Sequence, residues 1–88
     1  MTNSNQKPVA KVQMYPITAA IWKNTTDDGQ AFYSFTLERS YKKQNGHYDS
    51  TSSFNSSDAL LLAKVADLVD TKIRELREAD HDAGREAA

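Results

Sequence analysis

The 88-residue sequence contains no cysteine, and glycine and histidine are scarce, with three and two copies. Without cysteine the chain can form no disulfide, no thiol nucleophile and no cysteine-ligated metal site. The three glycines are scattered, so they do not build a glycine-rich phosphate-binding loop. The two histidines, His47 and His81, have no nucleophile or orienting acid in a recognisable pattern. We therefore expect a protein that is not an enzyme and that uses no cofactor or metal.

Long apolar runs are also missing, because no stretch approaches the roughly 18 apolar residues of a membrane span. The first residues, "MTNSNQK", lack the apolar segment of a secretory signal. We expect a cytoplasmic protein with no membrane contact, which the lack of cysteine also fits. The length corresponds to one small domain with a modest core, and such domains often gain stability by pairing with a second copy.

Charge is distributed unevenly along the chain. Residues 1–56 carry six basic and four acidic side chains, which gives +2, whereas residues 57–88 carry five and eight, which gives −3. This asymmetry favours an anionic partner for the first half. The alternative is two solvated faces with a weak imbalance.

Apolar patterns predict four strands and then one helix. Strand patterns cover residues 9–14, 17–23, 31–43 and 47–54, and apolar residues at spacings of three and four follow from 61 to 76. We predict an α+β fold: an antiparallel sheet of three to four strands, followed by one long C-terminal helix packed on one face. The predicted domain spans 8–80, with disordered tails at 1–7 and 81–88.

The turn signals predict how the strands pair. Asn45-Gly46 favours a two-residue type I′ turn. That turn would place Tyr41 opposite Ser50, Lys42 opposite Asp49 and Lys43 opposite Tyr48. In the first hairpin, matching apolar positions favours Ile17 opposite Leu37, Ala19 opposite Phe35 and Trp22 opposite Phe32.

These registers predict two different faces of the sheet. We expect the helix to cover one apolar face, made of Ile17, Ala19, Ile21, Tyr33, Phe35, Leu37 and Phe54. The same face would continue toward the hairpin tip as Arg39, Tyr41, Lys43 and Tyr48. The opposite face would carry the Trp22–Phe32 pair, and an exposed aromatic patch usually contacts a subunit, a ligand or a nucleobase.

Aromatic and basic side chains alternate along the strands in a way that is typical of single-stranded nucleic-acid binding. The candidate stacking residues are Trp22, Phe32, Tyr41 and Tyr48, and the candidate phosphate contacts are Lys23, Arg39, Lys42 and Lys43. The sequence thus favours a non-enzymatic homodimer that binds single-stranded DNA. The alternative is a protein-interaction or assembly module in which Trp22 and Phe32 form a subunit interface. The wide helix stripe leaves helix-to-helix dimerisation open.

Three segments, "ITAAIWKN", "FYSFTLERSYK" and "SFNSSDALLLAKVADLV", resemble a family of small uncharacterised bacterial proteins over about residues 9–76. The resemblance implies a shared order of strands and helix, and it implies nothing about activity. In architecture the predicted strand and helix order also resembles the PC4-like single-stranded-DNA-binding fold. That likeness implies a dimer that binds single strands across its sheets, by analogy of topology alone.

Overall fold

The computed structural model describes residues 7–87, with side chains as far as Asp82. Four strands come first and one long helix follows. Their bounds are β1 Ala10–Met14, β2 Ile17–Thr25, β3 Ala31–Lys42, β4 Tyr48–Thr51 and α1 Ala59–Ala87. The strands form one antiparallel sheet in the order β1-β2-β3-β4. The predicted α+β fold, a sheet followed by one C-terminal helix, is confirmed.

The core lies between α1 and the first two strands. The fully buried side chains are Ile17, Ala19, Ile21, Val65 and Val69. Partly buried side chains pack around them, and these include the predicted Tyr33, Leu37 and Phe54. The helix therefore covers the predicted face of β2, because alternate residues of that strand point toward it.

Phe35 departs from this prediction. Its side chain is 44% exposed, although it lies opposite the buried Ile21 and on the same face of the sheet. The reason is the position of α1, which packs mainly on β1 and β2. That position leaves the face of β3 around Phe35 beside the helix instead of beneath it.

The predicted register of the first hairpin is wrong by two residues. Ala19 lies opposite Leu37, and Trp22 lies opposite Ser34 instead of Phe32. A shift of two residues keeps every side chain on its predicted face, since alternate residues share a face. The two faces of β2 and β3 therefore match the prediction, while their cross-strand neighbours differ.

A three-residue loop sets this register. Thr26 donates its N–H to the Gln30 carbonyl at 2.8 Å, and Gly29 donates to the Thr26 carbonyl at 2.9 Å. Gly29 has a φ of 87°, in the left-handed region that glycine adopts at no steric cost. A tight turn followed by such a residue is a common hairpin loop.

The second hairpin uses the same device, so the predicted type I′ turn is wrong. Gly46 donates to the Lys43 carbonyl at 3.0 Å, and Lys43 donates to the His47 carbonyl at 2.7 Å. Gly46 has a φ of 87°, but no other residue type in the described chain has a positive φ. Asn45 therefore cannot occupy the first centre of a type I′ turn, which needs positive φ at both positions.

The longer loop shifts the predicted pairing of β4 by one residue. Lys42 lies opposite Tyr48, and Tyr41 lies opposite Asp49. A one-residue shift exchanges the faces of a strand. Tyr48 is thus on the face opposite to Tyr41, contrary to the prediction that both share the face of Leu37.

The helix begins with a short 3₁₀ turn, Ser56–Asp58, after the N-cap residue Asn55. The Asp58 carboxylate accepts the Asn55 N–H at 2.9 Å, which satisfies a backbone donor at the helix start. The helix continues through residue 87, past the predicted domain boundary at 80. Of the predicted tails 1–7 and 81–88, residues 1–6 and 88 lie outside the described residues. No described helix combines the length and apolarity that crossing a membrane requires.

Candidate nucleic-acid interface

The sheet has a covered face, on which α1 lies, and an open face on its other side. The candidate residues divide between the two. Trp22, Phe32, Lys42 and Tyr48 lie on the open face, whereas Lys23, Arg39 and Tyr41 lie on the covered face and Lys43 follows at the turn. The eight residues therefore do not form one surface, and the open face gathers half of them.

Trp22 is held in place on the open face. Its indole Nε1 donates a hydrogen bond to the Thr36 hydroxyl at 3.2 Å. Since Ser34 is the residue directly opposite Trp22, this bond places the indole along the sheet surface toward the Ala20–Thr36 pair. The neighbouring Asn24 amide donates to the Ser34 hydroxyl at 3.0 Å. The half-buried Trp22 ring is thus oriented before any partner binds.

An open depression of about 240 Å³ lies beside this indole. Its lining combines small side chains with one basic and one acidic residue: Pro8, Lys11, Thr18, Ala20, Trp22, Thr36 and Glu38. Small-molecule pockets usually measure about 300–1,000 Å³ and enclose most of the ligand. The depression is smaller and open, so it suits a flat group that lies across the sheet.

A second aromatic and basic group lies at the hairpin end of the open face. Tyr48 is 62% exposed and is the cross-strand neighbour of Lys42. Phe32, 48% exposed, lies near the other end of β3. At about 3.3 Å per residue, Phe32 and Lys42 are about 33 Å apart along the strand. The exposed aromatic side chains therefore border a long strip and not a single point.

The two lysines of the open face keep their charge available. Neither Lys11 nor Lys42 has a carboxylate within ion-pair distance in the described part of the chain. The only acidic side chain that the described strands place on the open face is Glu38. The open face consequently carries a small net positive charge.

Arg39, in contrast, forms its contacts with other residues of the chain. Its guanidinium Nε donates to the Ser53 carbonyl at 3.2 Å and lies 3.4 Å from a carboxylate oxygen of Asp58. The two side chains are only 18% and 13% exposed. Because Asp58 also caps the helix start, Arg39 fastens the beginning of α1 to β3.

Lys23 belongs to a cluster at the other end of the helix. Its Nζ lies 3.1 Å from a carboxylate oxygen of Asp80 and 5.9 Å from the centre of the Tyr33 ring. The Tyr33 hydroxyl donates to the same carboxylate. Hydrogen bonds from Tyr33 and Lys23 lower the pKa of Asp80, and the Asp80 hydrogen bond raises the pKa of Lys23. Burial is the main cause that raises the pKa of Tyr33. The cluster joins α1 to β2 and β3.

The remaining two candidates also lie away from the open face. Tyr41 is 37% exposed and lies opposite Asp49 on the covered side. Lys43 has its Nζ 3.9 Å from a carboxylate oxygen of Asp49, which replaces the predicted Lys42–Asp49 pair. The charge of Lys43 is therefore partly balanced within the hairpin.

Sequence reasoning missed Lys11 and Thr36, which lie beside Trp22. The alternation of residues 9–14 separated Lys11 from the buried side of β1, and that signal was sufficient to assign its face. It could not assign its neighbours, because no turn signal fixed the pairing of β1 with β2. In the structure Lys11 lies opposite Ala20, which is next to Thr36 across the sheet.

No three potential metal ligands come together in the described part of the chain. No protein-family model, curated protein or solved structure matches this chain. The candidate interface is accordingly defined by its own geometry: exposed rings and lysines without acidic partners along the open face.

Proposed function

We propose that this protein is a non-enzymatic homodimer that binds single-stranded DNA along the open face of its sheet. One observation carries the proposal: the open face, which no described element covers, bears exposed aromatic rings near both ends of β3 and lysines without acidic partners. Proteins that bind single strands combine such a basic track with rings on which bases stack.

The structure suggests separate roles for these side chains. Trp22, Phe32 and Tyr48 would stack on bases, while Lys11 and Lys42 would neutralise phosphates. The depression beside Trp22 offers room for a flat base against the oriented indole. The other predicted phosphate contacts, Lys23, Arg39 and Lys43, have carboxylates at 3.1, 3.4 and 3.9 Å, so they would contribute less.

The second candidate function is a protein-interaction or assembly module in which Trp22 and Phe32 form a subunit interface. The 48% exposure of Phe32, an apolar ring on the same face of the sheet as the half-buried Trp22, favours it. The two functions differ in what changes the environment of Trp22. If the protein binds nucleic acid, addition of an oligonucleotide changes the environment of Trp22. If Trp22 belongs to a subunit interface, a change in protein concentration alone does so.

Fluorescence anisotropy with labelled oligothymidylate tests the proposal, and Trp22 provides an internal probe because it is the only tryptophan in the sequence. We expect saturable binding that weakens as salt rises, together with quenching of Trp22 emission. Duplex DNA and single-stranded RNA of equal length serve as controls for strand and sugar preference. Absence of binding at low salt, or binding that leaves Trp22 emission unchanged, contradicts the proposed site.

A further inference from the structure

One edge of β3 has no neighbouring strand over most of its length. On one side β2 pairs with β3 from Ala31 to Arg39. On the other side β4 begins its pairing only at Arg39, opposite Thr51. Within the described part of the chain, residues 31–38 of β3 therefore form a free edge. We call this segment the β3 edge.

The hydrogen bonds show which backbone groups point out from the β3 edge. Ser40 donates to the Pro16 carbonyl at 2.8 Å, and Lys43 donates to the His47 carbonyl at 2.7 Å. Hydrogen-bonded pairs alternate with non-bonded pairs in an antiparallel ladder, so even-numbered residues of β3 bond to β2 and odd-numbered ones face the other side. The outward N–H and C=O groups are those of Ala31, Tyr33, Phe35 and Leu37.

The β3 edge lacks the features that protect the other edges of the sheet. Natural edge strands are short, or carry proline, lysine or a bulge, because an open edge pairs readily with another strand. β1 follows Pro8 and carries Lys11, and β4 has only four residues. The β3 edge has no proline and no lysine, and its first seven residues, "AFYSFTL", are uncharged and rich in strand-forming types.

We propose that the β3 edge pairs antiparallel with the β3 edge of a second copy of this chain, about a two-fold axis at Ser34. This register is selected because it pairs all four outward-facing residues: Ala31 with the partner's Leu37, and Tyr33 with the partner's Phe35, each twice. A register displaced by one pair toward the hairpin would place Ala31 against the partner's Arg39, where Thr51 already pairs. The partner's strand thus ends before Arg39, the first residue of β3 that pairs with β4.

The side chains in this register are compatible with each other. On the covered face, Tyr33 and the partner's Phe35 form aromatic cross-strand pairs, which stabilise antiparallel sheets. They would cover Phe35, which a single copy leaves 44% exposed. On the open face, Ser34 lies against the partner's Ser34, and no like charges lie directly opposite each other.

This interface rests on the homodimer of the proposed function and assigns its geometry. A two-fold axis perpendicular to the sheet keeps both helices on one side and joins the two open faces on the other. Trp22 lies opposite Ser34, so the two tryptophans fall on one line across the sheet. With strands about 4.8 Å apart, they are separated by three spacings, or about 14 Å. One continuous surface would then bear both sets of binding residues.

Single-cysteine variants test the register, because the natural sequence has no cysteine to compete. Ser34→Cys would place two thiols in a non-bonded pair with Cα atoms about 4.5 Å apart, within the range that a disulfide spans. Ser50→Cys, on the open face of β4, is the matched control. After mild oxidation we expect mostly cross-linked dimer for Ser34→Cys and little for Ser50→Cys. Equal cross-linking of the two variants, or none in either, overturns the proposal.

Sedimentation velocity without nucleic acid tests the interface itself. We expect the mass of two chains for the natural protein, a shift to one chain for Phe35→Lys, and no shift for Leu60→Lys, which changes an outer helix position that is 86% exposed. A natural protein with the mass of one chain, or dissociation by Leu60→Lys alone, overturns the proposal. If Phe35→Lys fails to fold by circular dichroism, the cysteine pair decides. A dimer that passes both tests but binds no oligonucleotide refutes only the nucleic-acid function.

Discussion

Removal of Lys42 should reduce the salt dependence of oligonucleotide binding. Lys42 is exposed, lies beside Tyr48 and has no carboxylate at ion-pair distance among the described residues, so its charge is available to a phosphate. For single strands, each neutralised phosphate contributes about 0.7 to the slope of log affinity against log salt. Loss of Lys42 from both copies of a dimer should lower that slope by about 1.4. Between about 50 and 200 mM salt, the variant would then lose about sevenfold less affinity than the natural protein.

The assay is anisotropy of labelled oligothymidylate over a series of salt concentrations, with Lys42→Ala against Lys64→Ala. Lys64 is a suitable control because it is a comparably exposed lysine on α1, away from the open face, with only a loose partner in Asp67 at 3.9 Å. We expect the Lys64 variant to keep the natural slope. Lys23→Gln should change the slope less than Lys42→Ala, because Asp80 already balances the Lys23 charge.

The reasoning is refuted if both alanine variants change the slope equally, since binding would then follow overall charge and not position. It is also refuted if Lys23→Gln has the larger effect, which would move the phosphate track to the covered face. Unchanged helical circular dichroism in each variant is needed to exclude a general loss of structure.

Three further predictions concern other parts of the molecule. Tyr48→Ala should weaken oligonucleotide binding by about 1–3 kcal/mol, or roughly 5- to 150-fold, if the exposed ring stacks on one base, and anisotropy at fixed salt would show no change if it does not. Ile21→Ala should lower the free energy of unfolding in urea by about 2–5 kcal/mol because the side chain is fully buried, whereas Leu60→Ala should change it by less than about 0.5 kcal/mol. The lowered pKa of Asp80 means that its contribution to stability is present above the ordinary value of 3.8 and is lost as pH falls below it. The stability difference between the natural protein and Asp80→Asn should therefore be constant from about pH 7 to pH 5 and shrink from about pH 5 to pH 2, and a difference independent of pH in thermal melts contradicts this assignment.

The sequence predicted the faces of the first hairpin correctly although it predicted the wrong partners. Alternation places Ile17, Ala19 and Ile21 on one side whatever their neighbours, and an error of two residues leaves that assignment intact. The helix could likewise be recognised from its apolar spacing. Local periodicity thus suffices for the elements and for the side of the sheet that they bury.

Which residues form the site depends on tertiary contacts that local sequence patterns do not contain. Arg39 and Lys23 looked like phosphate contacts because their acidic partners, Asp58 and Asp80, are distant in sequence and come close only when α1 packs on the sheet. The exposure of Phe35 depends on which strands the helix covers, which is a property of tertiary packing. Such long-range placement cannot be read from residue types along one strand.

The three-residue loop at the hairpin tip also determines which chemistry the open face presents. If Asn45-Gly46 alone formed the loop, with Gln44 in the strand, Lys42 would lie opposite Asp49, and every residue of β4 would lie on the other side of the sheet. Tyr48 would then turn toward the helix side, and Asp49 would take its place next to Lys42. The same amino acids would convert an aromatic, basic end into a self-neutralised ion pair. For this protein, the choice between a two-residue and a three-residue turn in the same sequence is therefore a larger change of the open face than most substitutions on the strands that it joins.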